Sequence, residues 1–178
     1  MNLFKFIDHI NWISGNETAN DSISLFYFLD SARNPEIFQH IKKHKCEKNI
    51  LYSEENAREL IDVAPYLINC NTNPLLAEWL LQEKGNSYGY FFESSASIEQ
   101  LINHFKKFIF ACDEKGRHYF FRFYDPRVIR IYLPTCSKDE LMNFFGLVSR
   151  FIVEKESSEN IDLFYMNNGQ LIIKEICF

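Results

Sequence analysis

The chain has 178 residues, 47% of them hydrophobic and 18 of them phenylalanine, which is enough for one well-buried core and short for two. That content excludes disorder over most of the length. The formal net charge of −5 argues against a dedicated nucleic-acid binder, whose affinity rests on neutralising phosphates, and no apolar run approaches the ~18 residues of a membrane span.

Met1–Ile13 carries Leu3, Phe6, Ile7 and Ile10 at helical spacing, broken by Asp8 and His9, with no small-residue cleavage site behind it. This is the pattern of an amphipathic helix rather than a signal peptide, and a polar linker follows it. Ser24–Leu29 is a continuous apolar run, as expected of a strand covered on both faces. Asn34-Pro35 caps a helix with Ile37, Phe38 and Ile41 turned inward. Asn49–Tyr52 is a strand candidate, Glu55–Val63 a short helix stopped by Pro65, and Tyr66–Ile68 a further strand.

Asn73-Pro74 repeats the cap-then-proline device for a helix through Leu76, Trp79 and Leu80 that stops at Gly85. Tyr88–Phe92 is the next strand. Ser97 with Gln100 forms a capping box for a helix whose apolar stripe runs from Ile98 through Phe105, Phe108 and Ile109 to Cys112. Gly116 turns the chain into His118–Tyr124, where alternation groups Tyr119, Phe121 and Phe123 on one face and Arg122 on the other. Asp125-Pro126 opens a helix to about Leu133, and Ser137 with Glu140 boxes another carrying Leu141, Phe144 and Phe145. Phe151–Val153, Ile161–Met166 and Leu171–Ile176 are strands, the last two joined by Asn168-Gly169, a strong hairpin signal. The fold class expected is therefore α/β: one compact domain with a mixed β-sheet flanked by helices and a C-terminal β-hairpin. Residues 1–20 form the amphipathic helix and linker, 21–154 the α/β domain, and 155–178 the hairpin packed on it.

Five cysteines, an odd number with no C-x-x-C pair, are the usage of reduced thiols in a cytoplasmic protein. Cys112, on the helical stripe, is expected to be core. His40 and His44 lie four apart, but Lys42, Lys43 and Lys45 make their surroundings cationic, so the pair suits a helix C-terminus better than a metal. No motif calls for a cofactor. Asp30, Glu93 and Asp125 each end an expected strand and are candidate acid/base groups; with Arg33, Arg122 and Arg127 plentiful, caps and ion pairs suit them better. Tyr88, Tyr90, Phe120, Tyr124 and Tyr132 are aromatics that core periodicity leaves less well explained. With the arginines they form a set typical of protein interfaces; the alternative is that the arginine stems cover the sheet edge while their heads pair with carboxylates.

Several separated motifs resemble one family in its order: Leu29–Pro35, Val63–Leu67, Pro74–Leu76 with Glu78–Leu81, Tyr88–Ser94, Phe121–Leu133 and Phe144–Gly146. The chain is similar over roughly residues 24 to 150 to the adaptor (effector-chaperone) domains of bacterial type VI secretion, the DUF4123-like family. It departs from the pattern at Leu147, where the family commonly has Pro after the glycine. The resemblance implies a non-catalytic, cytoplasmic protein that binds a secreted toxic effector, often by its N-terminal region, and helps load it onto the valine–glycine-repeat (VgrG) spike. It puts Asp30, Arg33, Glu93, Arg122, Asp125 and Arg127 at the family's charged motif positions. The expected protein-binding residues are therefore Arg33, Tyr88, Tyr90, Glu93, Arg122, Tyr124, Asp125 and Arg127, around the strand–helix corner at Tyr124–Arg127. Two rivals stay open: an immunity protein that neutralises a toxin, and a small carboxylate-dependent hydrolase.

Overall fold

The computed structural model describes residues 5–6, 23–46, 49–53, 58–155 and 160–177. The N-terminal amphipathic helix, its linker, the start of the helix expected at Glu55–Val63 and the inside of the 155–160 loop lie largely outside these.

Six of the expected strands form one sheet. Strands β1 (Ser24–Asp30), β2 (Pro65–Asn69), β3 (Gly89–Ser94), β6 (Val148–Glu154), β7 (Asn160–Asn167) and β8 (Gln170–Cys177) line up in the order β2-β1-β3-β6-β7-β8. Helices α1 (Pro35–Lys43), α2 (Pro74–Gln82), α3 (Ile98–Phe105), α4 (Pro126–Thr135) and α5 (Lys138–Phe145) flank it, and a separate two-stranded ribbon pairs β4 (Phe110–Cys112) with β5 (His118–Phe120). The α/β class, the flanking helices and the terminal hairpin are as expected. The pairings of the six-stranded sheet are all antiparallel, and β7–β8 continue that sheet instead of packing on it.

The central strands are buried on both faces because both alternating sets are large and apolar. Phe26, Phe28 and Phe92 pack against the α3 side, with Phe28 rings 4.7 Å from Phe105 and 5.4 Å from Phe123. Phe144 of α5 reaches Phe151 on the same side, at 5.6 Å. Tyr27 and Phe91 meet on the opposite face at 4.5 Å, beneath Leu80 and Leu81 of α2; Phe6 packs there too, 4.9 Å from Phe91. Gly89 permits the close approach of β3 to β1, since a Cβ there would collide with the Phe28 carbonyl. Asn168 (φ 49°) and Gly169 (φ 76°) take the left-handed conformations that a two-residue hairpin turn requires.

Three local expectations need correction. Asn49–Tyr52 is not a strand: Ile50 makes a single bridge to Tyr66, and the Leu51 N–H bonds the Pro65 carbonyl at 2.9 Å, covering the outer edge of β2. The α3 helix ends at Phe105, passes through a 3₁₀ turn (Lys106–Phe108) and becomes β4, because Phe110–Cys112 finds strand partners beyond the Asp113–Gly116 turn. Cys112 is consequently exposed rather than core. Asn73 starts α2 without capping it, its amide donating instead to the Asn69 carbonyl at 3.1 Å, whereas Asn34 accepts from the Glu36 N–H as expected. No described helix is long and apolar enough to cross a membrane.

Candidate functional site

The end of β1 and the start of α4 meet at one corner. Asp30 caps the Ser31–Arg33 turn, its Oδ1 accepting from the Ala32 N–H at 3.2 Å, and its Oδ2 takes the Arg122 guanidinium. Asp125 caps α4: its carboxylate accepts from the Arg127 N–H at 2.9 Å, from Nε at 3.0 Å and from Nη2 at 2.6 Å. Pro at the first helical position then loses nothing by having no N–H. Two sealed carboxylates thus each hold an arginine whose head stays half open: the side chains of Asp30 and Asp125 are 1% and 2% exposed, those of Arg122 and Arg127 41% and 45%.

Burial pushes the Asp30 carboxyl above its ordinary range, against the hydrogen bond and charge of Arg122. Burial acts on Asp125 in the same sense, but there the Arg127 side-chain and backbone hydrogen bonds and the charges of Arg127 and Arg122 win and hold it below that range. The fork of Arg127 meets its carboxylate with two donors and Arg122 meets Asp30 with one, and the Asp125 charge raises Asp30 further.

Of the residues expected to touch a partner, several are inside. Tyr90 is 1% exposed and donates to the Phe123 carbonyl at 2.8 Å, and Tyr124 is 3% exposed and hydrogen-bonds with Tyr52. Tyr88 is buried, its hydroxyl accepting from Asn34 Nδ2 at 2.8 Å. Glu93 is buried against Arg150, 2.6 Å away, a pairing across β3 and β6 that alternation alone did not single out. Tyr88, Tyr90 and Tyr124, with Asp125, build the corner, while Glu93 lies at the far end of β3, opposite Leu25; all five are buried, and each expectation that they present a contact surface is corrected by that burial. Arg122 and Arg127 remain open to solvent, and Arg33 is half-buried with its Nε lacking a hydrogen-bond partner among the described residues. The bland alternative for the arginines also holds in part, since both heads pair with carboxylates while staying accessible.

Of the aromatics that do reach the surface beside this corner, sequence reasoning singled out Phe120 and missed Phe110 and Tyr119. Phe110, Tyr119 and Phe120 of the β4–β5 ribbon are 45%, 48% and 47% exposed. Phe120 packs with its ring tilted, 5.2 Å from that of Tyr52, the hydrogen-bond partner of Tyr124, so ribbon and corner are contiguous. The signal was present in the Asp113–Gly116 turn, which separates two short aromatic stretches. The turn capped by Asp30 also walls a cleft of about 330 Å³ with Phe38, Lys42, Asp62 and Val63.

His40 and His44 stack parallel at 6.4 Å, and His40 lies 3.9 Å over Trp79; burial, with Lys43 adding, lowers both pKa values. No cluster of three His, Cys, Asp or Glu suited to a metal occurs among the described residues. The arrangement can offer cationic, bidentate hydrogen-bond donors and flat apolar area, the means of holding another molecule.

A family model described as "Domain of unknown function (DUF4123)" matches residues 25–143. The match runs from β1 into α5 and includes Asp30, Arg33, Glu93, Arg122, Asp125, Arg127 and the whole ribbon. No curated protein matches the chain, and no solved structure matches it.

Proposed function

The chain belongs to the DUF4123 family, and from that premise we propose that it is a cytoplasmic, non-catalytic adaptor that binds a secreted effector protein before loading onto a type VI secretion spike. One observation carries the reading: the arginine heads at the corner are held in place by sealed carboxylates yet left open beside half-exposed aromatics. Fixing the guanidinium forks in advance lowers the entropy lost when a partner's carboxylates or carbonyls engage them. The aromatic area next to them supplies the desolvated anchor that protein interfaces use. A chaperoning role follows from the same chemistry, since apolar effector surface needs cover until release.

Catalysis fits the site less well. Asp30, Glu93 and Asp125 each face an arginine, which commits them to ion pairs instead of to proton transfer.

Co-expression with the products of the adjacent reading frames, followed by pull-down at moderate salt, tests the proposal. Retention of an effector, with or without the spike, is the expected result; loss of every neighbour overturns it. Binding to the effector away from its toxic domain, with toxicity intact, separates an adaptor from an immunity protein.

A further inference from the structure

The β4–β5 ribbon is poorly explained as a structural part. It stands apart from the six-stranded sheet, and all six of its residues are exposed. An isolated two-stranded ribbon is marginal in water, yet this one is pinned at both ends. At its base the Phe121 N–H bonds the Ile109 carbonyl at 2.7 Å. At its tip Asp113 accepts from the N–H groups of Lys115 and Arg117 at 3.0 and 2.9 Å and from Arg117 Nε at 2.7 Å. Phe110 and Phe120 sit directly opposite each other with rings 4.9 Å apart, and Tyr119 follows on the other face, under the Arg117 guanidinium at 5.7 Å. The ribbon is thus held in shape while its rings stay half in water, an arrangement that exposed strands ordinarily avoid.

Its charge is also set against that of the molecule. Residues 106–122 carry five Lys or Arg (Lys106, Lys107, Lys115, Arg117, Arg122) against Asp113 and Glu114, a net +3 in a chain of net −5. Asp113 is already occupied by Arg117. Cations that flank the half-exposed aromatic strands along the chain suit a polypeptide that combines apolar side chains with carboxylates, and disfavour a basic one.

We infer that the β4–β5 ribbon is a docking arm for an acidic, apolar segment of the partner protein, the rings of Phe110 and Phe120 taking its apolar side chains and the surrounding cations its carboxylates. This rests on the adaptor reading and specifies which chemistry its partner presents.

The test pans random dodecapeptides displayed on phage against the full chain, against Phe110→Ser/Phe120→Ser, and against Lys107→Glu/Lys115→Glu, which alters exposed charges without touching the rings. Circular dichroism and Tm establish that each variant is folded. Selected peptides are expected to be enriched in Leu, Ile or Phe together with Asp or Glu. Recovery of these peptides should fall at least tenfold on either variant. No enrichment, enrichment without acidic bias, or equal recovery on the ring variant overturns the inference; so does a dimer of the wild-type chain that the ring substitutions abolish, which would assign the ribbon to a second copy. Where co-expression retains an effector but the ring variant retains it equally, the docking arm fails and the adaptor stands. Where no effector is retained at all, the adaptor reading fails whatever the peptides do.

Discussion

Arg122 closes over Asp30 from ninety-two positions away in the chain, linking the start of the strand–helix corner to the end of β1. The carboxylate it covers is sealed and the guanidinium is not, so the pair joins fold and surface in one contact. Removing either member affects the two differently.

Arg122→Ala leaves a buried carboxylate without its partner and is expected to lower stability by about 1–3 kcal/mol, read as a shift in urea midpoint with an unchanged slope. Asp30→Asn keeps the cap on the Ser31–Arg33 turn and is expected to have a smaller effect. Equal losses in both variants would mean that the ion pair itself, and not the orphaned carboxylate, sets the cost.

The two corner carboxylates make opposite predictions with pH. Asp30 has its folded pKa raised, so its contribution is full below the unfolded value of about 3.9 and declines as pH rises through the folded value. The stability difference between wild type and Asp30→Asn should therefore shrink as pH climbs above about 4. Asp125 has its folded pKa lowered; its contribution is full above about 4 and is lost as pH falls through the folded value. The difference between wild type and Asp125→Asn should then grow from acid up to about pH 4 and stay level beyond. Denaturant midpoints between pH 2.5 and 6, a range on the order of both values, provide the check.

Tyr90→Phe deletes a buried hydroxyl and leaves the Phe123 carbonyl without its donor. A loss of about 1–2 kcal/mol is expected, with partner retention unchanged. Arg127→Ala should show both effects: a loss of about 1–3 kcal/mol, since it too leaves a buried carboxylate without its partner, and at least tenfold weaker partner binding. Tyr90→Phe variants that fold well but lose the partner would return that residue to the binding surface.

Gly89→Ala drives a methyl group into the Phe28 carbonyl and the Tyr27 ring. Separating β1 from β3 at the centre of the sheet is expected to remove about 1–3 kcal/mol or more, visible as a lowered Tm or insoluble expression.

Much of the fold was legible in the residues because local rules and tertiary packing agree there. The two capping boxes at Ser97 and Ser137 form with both reciprocal bonds, and the Asn168-Gly169 turn pairs β7 with β8 over their full length. The chain from Ile98 to Cys112 was misread for a physical reason. Phe108, Ile109 and Cys112 continue the helical stripe, and only the pairing of Phe110–Cys112 with His118–Phe120, invisible to periodicity, decides for a strand. The site was half legible. Asp125 and Arg127 are local neighbours, so cap and fork could be anticipated, whereas Tyr90 and Tyr124 looked available because alternation says nothing of what covers the second face of a sheet. Phe110 and Tyr119 were overlooked with the ribbon that carries them.

Titrating the purified chain with separate fragments of the effector encoded beside it tests the central claim most directly. A non-toxic region of the effector is expected to bind, Arg127→Ala to weaken this at least tenfold, about 1.4 kcal/mol, and the effector's own activity to be unchanged when bound. Binding confined to the toxic domain with its activity blocked, or no binding by either fragment, would contradict it.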